Sequence, residues 1–258
     1  MKPIRMIRYL FRYFYAFSST KIDALNYKES IDYVVQQKIS LIRWGDGETC
    51  ILEGQDIEYQ ASTSELRQKM TDIVNTYNQR GPEGAGYLLA MPLKYLFMDG
   101  WELLRKRIWI NCWVNTRYIF KCIFNQKNIY GDSAIFCSGI NNYYSKIWED
   151  AEYIVFVHCD IKFHRQFVKT YNKESYFVQI PPRDSFSVHE KIEQDIIAVF
   201  EKNNLDIKKT RILISAGPAA KVITYDLAQK GYICIDTGHC WDDPPLSKDN
   251  LWIKADKA

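Results

Sequence analysis

The seven cysteines of this chain (Cys50, Cys112, Cys122, Cys137, Cys159, Cys234 and Cys240) include no CxxC pair, and their number is odd. That scatter argues against a disulfide framework and a structural zinc centre; it reads as reduced thiols in a cytosolic protein. No apolar stretch reaches the ~18–20 residues that a membrane-spanning helix needs. The 34 Lys and Arg against 31 Asp and Glu leave a net charge of +3, too small to argue for a nucleic-acid partner. The GxGxxG fingerprint of dinucleotide-binding folds is missing as well. No internal repeat or low-complexity linker divides the 258 residues, which suits one large α/β domain with at most an appendage.

What is present begins with an apolar fraction of 47%, enough for a full core, and with 18 Tyr, 13 Phe and 7 Trp. Aromatic side chains serve cores first, but they also stack on sugars and bases and sit at membrane interfaces. The N-terminal segment MKPIRMIRYLFRYFYAFSST holds Lys2, Arg5, Arg8 and Arg12, with Lys21 just after it and no acid before Asp23. At helical spacing Ile4, Ile7, Phe11 and Phe14 share one side, with Arg5, Arg8 and Arg12 on another. A signal peptide places its charges ahead of the apolar run, whereas here they are threaded through it. Residues 1–21 therefore read either as a basic interfacial helix on anionic lipid or as a helix packed on its own domain.

Strand and helix patterns then alternate. Residues 22–38 pattern as a helix and ISLIRW as a strand; Ser62 to Gln79 is helical, capped by Ser62, Thr63 or Ser64 and ended by RGPEGAG. YLLAMP is a short buried strand, and residues 93–128 are expected to be helical. SAIFCSG and EYIVFVHCD pattern as strands around a helix at NNYYSKIWED. KFHRQFVKTYN, expected as a helix, SYFVQIPPRDSF, a strand running into a proline-broken loop, and the amphipathic helix SVHEKIEQDIIAVFEKNN follow. The last unit is strand RILISAG, helix PAAKVITYDLAQKG and strand YICIDTGH. This order predicts an α/β fold, a Rossmann-like, doubly wound, mostly parallel sheet, over residues 22–258.

Ligands of such sheets bind outside the carboxyl ends of the strands, which directs attention to WGDGE, AGPAA and DTGHCWDD. Asp46 and Glu48 stand two apart between glycines. In a tight turn both carboxylates can face one point, where Mg²⁺ or Mn²⁺ would bridge them to phosphate oxygens; an ordinary surface turn has the same composition. Arg43 is placed for a bidentate phosphate contact. Gly217 and Pro218 lie where a strand hands over to a helix, a geometry that attracts phosphate, and Asp236 ends the following strand. His239 follows directly. His158 and His164 flank Asp160, which reads as a strand-to-loop transition rather than a metal cluster. Arg183 and Asp184 precede a helix, either as substrate contacts or as a cap.

Taken together, RWGDGE with ILEGQDIEYQ, and ILISAGPAAKVITYDLAQKGYICIDTGH near the other end, resemble the GT-D glycosyltransferases. The likeness is strong over residues 39–60 and 210–239 and discontinuous between. CWDDPP, NTRYIF and VHCD depart from the family's usual acidic-tyrosine, SRPY-like and VEG stretches. The resemblance implies a metal-dependent transfer of a hexose from a nucleotide-diphosphate sugar, such as a UDP-sugar, to a glycan acceptor of glycoprotein or surface polysaccharide. It carries the metal role onto Asp46 and Glu48, and donor contacts onto Arg43, Gly45, Gly47, Gly217, Pro218 and Asp236. The general base of an inverting reaction would be Asp184, Asp242 or His239. The expected setting is cytoplasmic, with residues 1–20 at the inner face of a membrane. Two other classes share these features: a different nucleotide enzyme on the same sheet, and an inactive glycan- or membrane-binding module.

Overall fold

Short apolar runs bounded by glycine, proline and polar caps produce alternating strands and helices in the computed structural model, which describes residues 3–105, 110–136 and 143–241. In chain order they are α1 (Pro3–Ala16), α2 (Tyr27–Gln37), β1 (Ser40–Arg43), α3 (Asp46–Leu52), α4 (Ser64–Ala85) and β2 (Tyr87–Met91). There follow α5 (Leu93–Phe97), α6 (Gly100–Arg105), α7 (Ile110–Ile123), β3 (Gly131–Asp132), α8 (Lys146–Glu149) and β4 (Tyr153–His158). The last are α9 (Ile161–Tyr171), β5 (Glu174–Gln179), α10 (His189–Asn203), β6 (Thr210–Ile214), α11 (Pro218–Ala228) and β7 (Cys234–Asp236).

The strands form one sheet in the order β3-β2-β1-β7-β6-β4-β5, with every pairing between them parallel. The chain winds outward from β1 to β3, crosses to the other half, and returns to lay β7 beside β1. The connections leaving β6 and β4 run to opposite sides of the sheet, so the β6/β4 junction is a topological switch point, where a crevice opens at the carboxyl ends. Successive strand residues alternate between two cores. Ile42, Leu89, Val155, Val157, Ile212 and Ile214 pack under α4, α7, α10 and α11. Leu41, Leu88, Ala90, Ile154, Phe156 and Leu213 pack under α2, α8 and α9. The doubly wound, parallel α/β expectation is met.

Several local expectations are not. The helix of residues 22–38 starts only at Tyr27, because the Asn26 side chain accepts the Lys28 and Glu29 N–H groups while the Glu29 carboxylate returns to the Asn26 N–H. The chain just before it runs extended beside Tyr130. RGPEGAG does end the helix begun at Ser64, at Gly81 with φ +65, but Pro82 then starts a further turn that closes at Gly86. The 93–128 helix is interrupted at Met98, with Asp99 accepting the Glu102 N–H ahead of α6; residues 106–109, between α6 and α7, lie outside the described residues. The SAIFCSG strand is displaced: pairing to β2 occupies Gly131–Asp132, and Ser133–Phe136 turns as a 3-10 helix. The helix expected at NNYYSKIWED is a 3-10 turn at Tyr143–Ser145 followed by the single turn α8; residues 137–142 lie outside the described residues.

One buried carboxyl makes the packing pH-sensitive. Glu193 on α10 is 8% exposed, with Lys230 as its ion-pair partner at 3.6 Å. Burial, reinforced by Asp226, pushes its pKa up to about 7. The folded state thus keeps a proton that the unfolded chain sheds near its ordinary carboxylate range, so stability falls as pH rises toward 7 and is flat above. Glu193→Gln is expected to unfold like the parent at pH 4.5 and to gain about 1–3 kcal/mol at pH 8, measured by urea denaturation at both values.

Candidate active site

β1 runs out at Arg43, and the Trp44 N–H still pairs with Ala90 O at 2.8 Å. The backbone then turns at Gly45 directly into α3, so Asp46-Gly47-Glu48 is the first turn of a helix and not a glycine-flexed loop. The reason is local: Glu48 Oε2 accepts the Gly45 N–H at 2.7 Å, as the carboxylate of a capping box does, and both acids complement the helix dipole. Gly47 has helical neighbours and only ordinary contact where a Cβ would stand, 3.5 Å from Ile57 Cδ1.

The other Glu48 oxygen meets a residue that motif reasoning passed over. Lys221, in the first turns of α11, places its ammonium 3.0 Å from Glu48 Oε1, 3.0 Å from Asp236 Oδ2 and 3.2 Å from Gly217 O. Three donors thus meet three acceptors on three separate segments. All three side chains are buried, Asp236 completely. Burial alone would raise the Glu48 pKa, but the Lys221 charge and its hydrogen bonds hold it below the usual carboxylate range. Burial would likewise strip the proton from Lys221; Asp236 and Glu48 instead hold its pKa above the ordinary lysine value. Asp236 Oδ2 also accepts the Arg43 N–H at 3.1 Å. The Arg43 side chain is fixed by Nε to Ser133 O and Nη1 to Thr237 O, both 2.9 Å.

Two glycines are required here by close approach and by positive φ. Gly238 has φ +51, and a Cβ there would stand 2.4 Å from Arg43 Nη1. Gly217 has φ +55, and its Cβ would meet the Tyr59 ring at 2.6 Å. Pro218 follows as the first residue of α11, while the Tyr59 ring stands edge-on to His239 at 6.2 Å.

These residues surround a cavity of about 620 Å³, within the range of small-molecule sites. The segments leaving the carboxyl ends of all seven strands contribute to its wall, from Arg43–Glu48 after β1 to Gly238 and His239 after β7. Arg43, Gly45, Asp46, Gly47, Glu48, Gly217 and His239 all line it. Asp236 lies beneath, behind Lys221. Asp184 is absent from the wall: it sits at φ +49, accepts the Ala61 N–H at 2.8 Å, and braces the loop after β5 against residues 60–61. Asp242 falls outside the described residues.

Sequence reasoning missed several lining groups besides Lys221. Tyr95 and Trp113 stack at 3.7 Å and 8°. Asp132 ends β3, its pKa raised by burial against the pull of Arg43. His158, at the end of β4, accepts the Asp160 N–H through Nδ1 at 3.0 Å. Asp160 caps α9, and His164 bonds Ser175 Oγ at 2.6 Å, so HCDIKFH does not converge on a metal. Applying the strand-end rule to every strand would have found the segments after β2, β3 and β4.

Glu48 is not free to chelate as the family resemblance expects: both of its oxygens are engaged, one by the Gly45 N–H and one by Lys221. Among the described residues no group of three His, Cys, Asp or Glu side chains could hold a metal ion.

Comparison with known proteins agrees with this geometry. The family described as "Glycosyltransferase GT-D fold" matches residues 41–245. Glycosyltransferase GlyD of Streptococcus pneumoniae is 25% identical over 247 residues, 88% of this chain and 27% of its own length. A probable glycosyl transferase, Gly, of Streptococcus gordonii is 23% identical over 242 residues, 85% of this chain and 32% of its own. The chain therefore spans about a third or less of these relatives. A solved structure described as domain of unknown function 1792 with a distinct glycosyltransferase fold superposes with TM-score 0.71 at 21% identity, over 91% of this chain and 83% of its own. Another, described as a new glycosyltransferase from Streptococcus sanguinis, gives 0.68 at 24%, over 86% and 83%.

The Lys221 arrangement is directly testable. Lys221→Met leaves two buried carboxylates without their counter-charge and is expected to cost about 3–5 kcal/mol of stability in urea unfolding. Adding Glu48→Gln removes one of those charges, and the double variant is expected to recover part of the loss, a non-additivity that an independent pair would not show.

Proposed function

Because the chain belongs to the glycosyltransferases of the GT-D fold, we propose that it moves a hexose from a nucleoside diphosphate sugar, a UDP-hexose in our reading, to a hydroxyl of a glycan acceptor. The observation that carries this is the cavity at the carboxyl ends of all seven strands, which joins a fixed guanidinium, carboxylates and an aromatic stack in one wall. Arg43 offers a held positive charge for a diphosphate. Tyr95 on Trp113 offers a flat face for a base or sugar ring. Ser215, Ala216 and Gly217 bring backbone close to the ligand at the start of α11.

In the transfer, the acceptor oxygen forms the new bond to the anomeric carbon as the bond to the diphosphate oxygen breaks, and the nucleoside diphosphate leaves with that electron pair. The acceptor proton needs a base if configuration inverts. Of the two described groups that the sequence offered, Asp184 and His239, it is His239 that lines the cavity, and we assign the role to it. Asp46, at the helix start, faces the same cavity and would orient the donor. Glu48 and Asp236 act through Lys221, as the frame that holds Arg43 and the Gly217 turn. We place the reaction in the cytoplasm, on glycans of glycoprotein or lipid-linked polysaccharide.

A thermal-shift screen of UDP, UDP-sugars, NAD and ATP, each with and without Mn²⁺ or Mg²⁺, tests the reading. A UDP-sugar at about a hundred times its Kd is expected to stabilise the fold by roughly 2.7 kcal/mol, and Arg43→Ala to weaken that binding by roughly ten-fold or more. Asp46→Asn and His239→Ala are expected to lower UDP release from the donor by roughly a hundred-fold or more. A shift with NAD or ATP alone would indicate another nucleotide enzyme, and no shift with any nucleotide would overturn the proposal.

A further inference from the structure

The N-terminal helix is two-faced. Its inner face is anchored: Tyr13 and Ala16 pack with Tyr95, Met98, Trp113 and Val114, and buried Arg12 is bound to Glu53 and Asn115. Its outer face is left apolar and bare. Ile7, Leu10, Phe11 and Phe14, spaced i, i+3, i+4, i+7, are 65%, 52%, 68% and 74% exposed. Trp101 of α6, 65% exposed, extends the patch through its edge-on contact with Phe17 at 5.1 Å. Packing on the domain and binding a surface are thus not alternatives for this helix; they use opposite faces.

We propose that this outer face, with Trp101, lies on an anionic lipid bilayer and so holds the cavity beside an acceptor carried there. Charge selects the occupant. α1 contains Arg5, Arg8 and Arg12 and no acid, so the helix carries a positive charge of its own beyond the Arg12 that Glu53 engages. A second copy would set like charge against like charge, whereas an anionic headgroup layer complements it. Trp settles at the headgroup boundary, and Phe and Leu form the buried face of helices that lie in the interface. At 14 residues the helix is about 21 Å long, suited to lying in the interface plane, and no described helix is long and apolar enough to cross a membrane. Glu53, which grips Arg12, is the C-cap of α3, the helix that begins at Asp46, and Trp113 stacks on the cavity residue Tyr95. Membrane face and cavity wall are therefore two sides of one packed block.

The inference deepens the transferase reading by naming the surface that presents its acceptor, and its test uses no transfer activity. The full chain is floated with phosphatidylcholine vesicles, with and without admixed phosphatidylglycerol, alongside the variant Phe11→Ser/Phe14→Ser/Trp101→Ser. These positions are exposed, so the variant is expected to keep the parent's melting temperature. The parent is expected to float with the anionic vesicles, and to lose roughly ten-fold or more in binding on neutral vesicles, in high salt or with the triple change. A parent chain that stays unbound, or a variant that floats equally well, would overturn the proposal. So would a dimer, seen by light scattering, that the triple change dissolves without any vesicle binding. Flotation without any nucleotide-sugar thermal shift would keep the membrane face and remove the transferase reading.

Discussion

The ammonium of Lys221, held between Glu48 and Asp236, is the constraint on which the rest of the site depends. Three segments distant in sequence meet there: the start of α3, the end of β7 and the turn into α11. Desolvating each charge costs several kcal/mol, and only short contacts to every donor and acceptor recover it. That requirement fixes the Glu48 carboxylate on the Gly45 N–H, fixes Asp236 on the Arg43 N–H, and leaves the Arg43 side chain pointing where the Thr237 and Ser133 carbonyls catch it. Gly238 is needed because Arg43 passes so close, and Gly217 because Tyr59 does. One buried cation thus sets the floor and one wall of the cavity.

This changes the meaning of the D-x-E spacing. Two carboxylates separated by one residue invite the reading of a chelate, because in an irregular turn both can face one ion. On a helix the same spacing sends them in different directions, roughly 200° apart around the axis. Position three is also where a glutamate folds back onto the N-cap. Asp46 and Glu48 both reach the cavity wall, but only Glu48 also holds the strand-to-helix corner and its buried lysine.

Much of the architecture was legible beforehand for physical reasons. RILISAG, PAAKVITYDLAQKG and YICIDTGH show an apolar strand, an amphipathic helix with proline at its start, and a second strand, and periodicity alone identifies such a unit. The carboxyl-end rule then placed Arg43, Asp46, Gly217 and His239 on one cavity. What was not legible depended on tertiary pairing. SAIFCSG has strand composition, but β2 offers its edge only to Gly131 and Asp132. Lys221 reads as an ordinary solvated helix residue, since nothing local reveals that two carboxylates from elsewhere surround it. Asp184 looked like a site acid and instead closes a loop, because its left-handed backbone turns the side chain to the Ala61 N–H.

The N-terminal helix shows the same limit from the other side. Its sequence gives a stripe of apolar residues and a stripe of arginines, and from that pattern either face could be the buried one. Contacts decide it. Arg12, a residue that composition would place in water, is buried because Glu53 and Asn115 neutralise and bind it. The phenylalanines, which composition would bury, face outward. Water does not favour leaving Phe11 and Phe14 bare: at about 25 cal/mol per Å² each exposed ring forgoes several kcal/mol of burial that a differently rotated helix would gain. The Arg12 pairing opposes that rotation, since turning the helix would tear a buried ion pair from Glu53, at a cost of similar size. An inversion held by a buried charge pair is what a surface needs if its apolar side is to be kept available for something other than its own core.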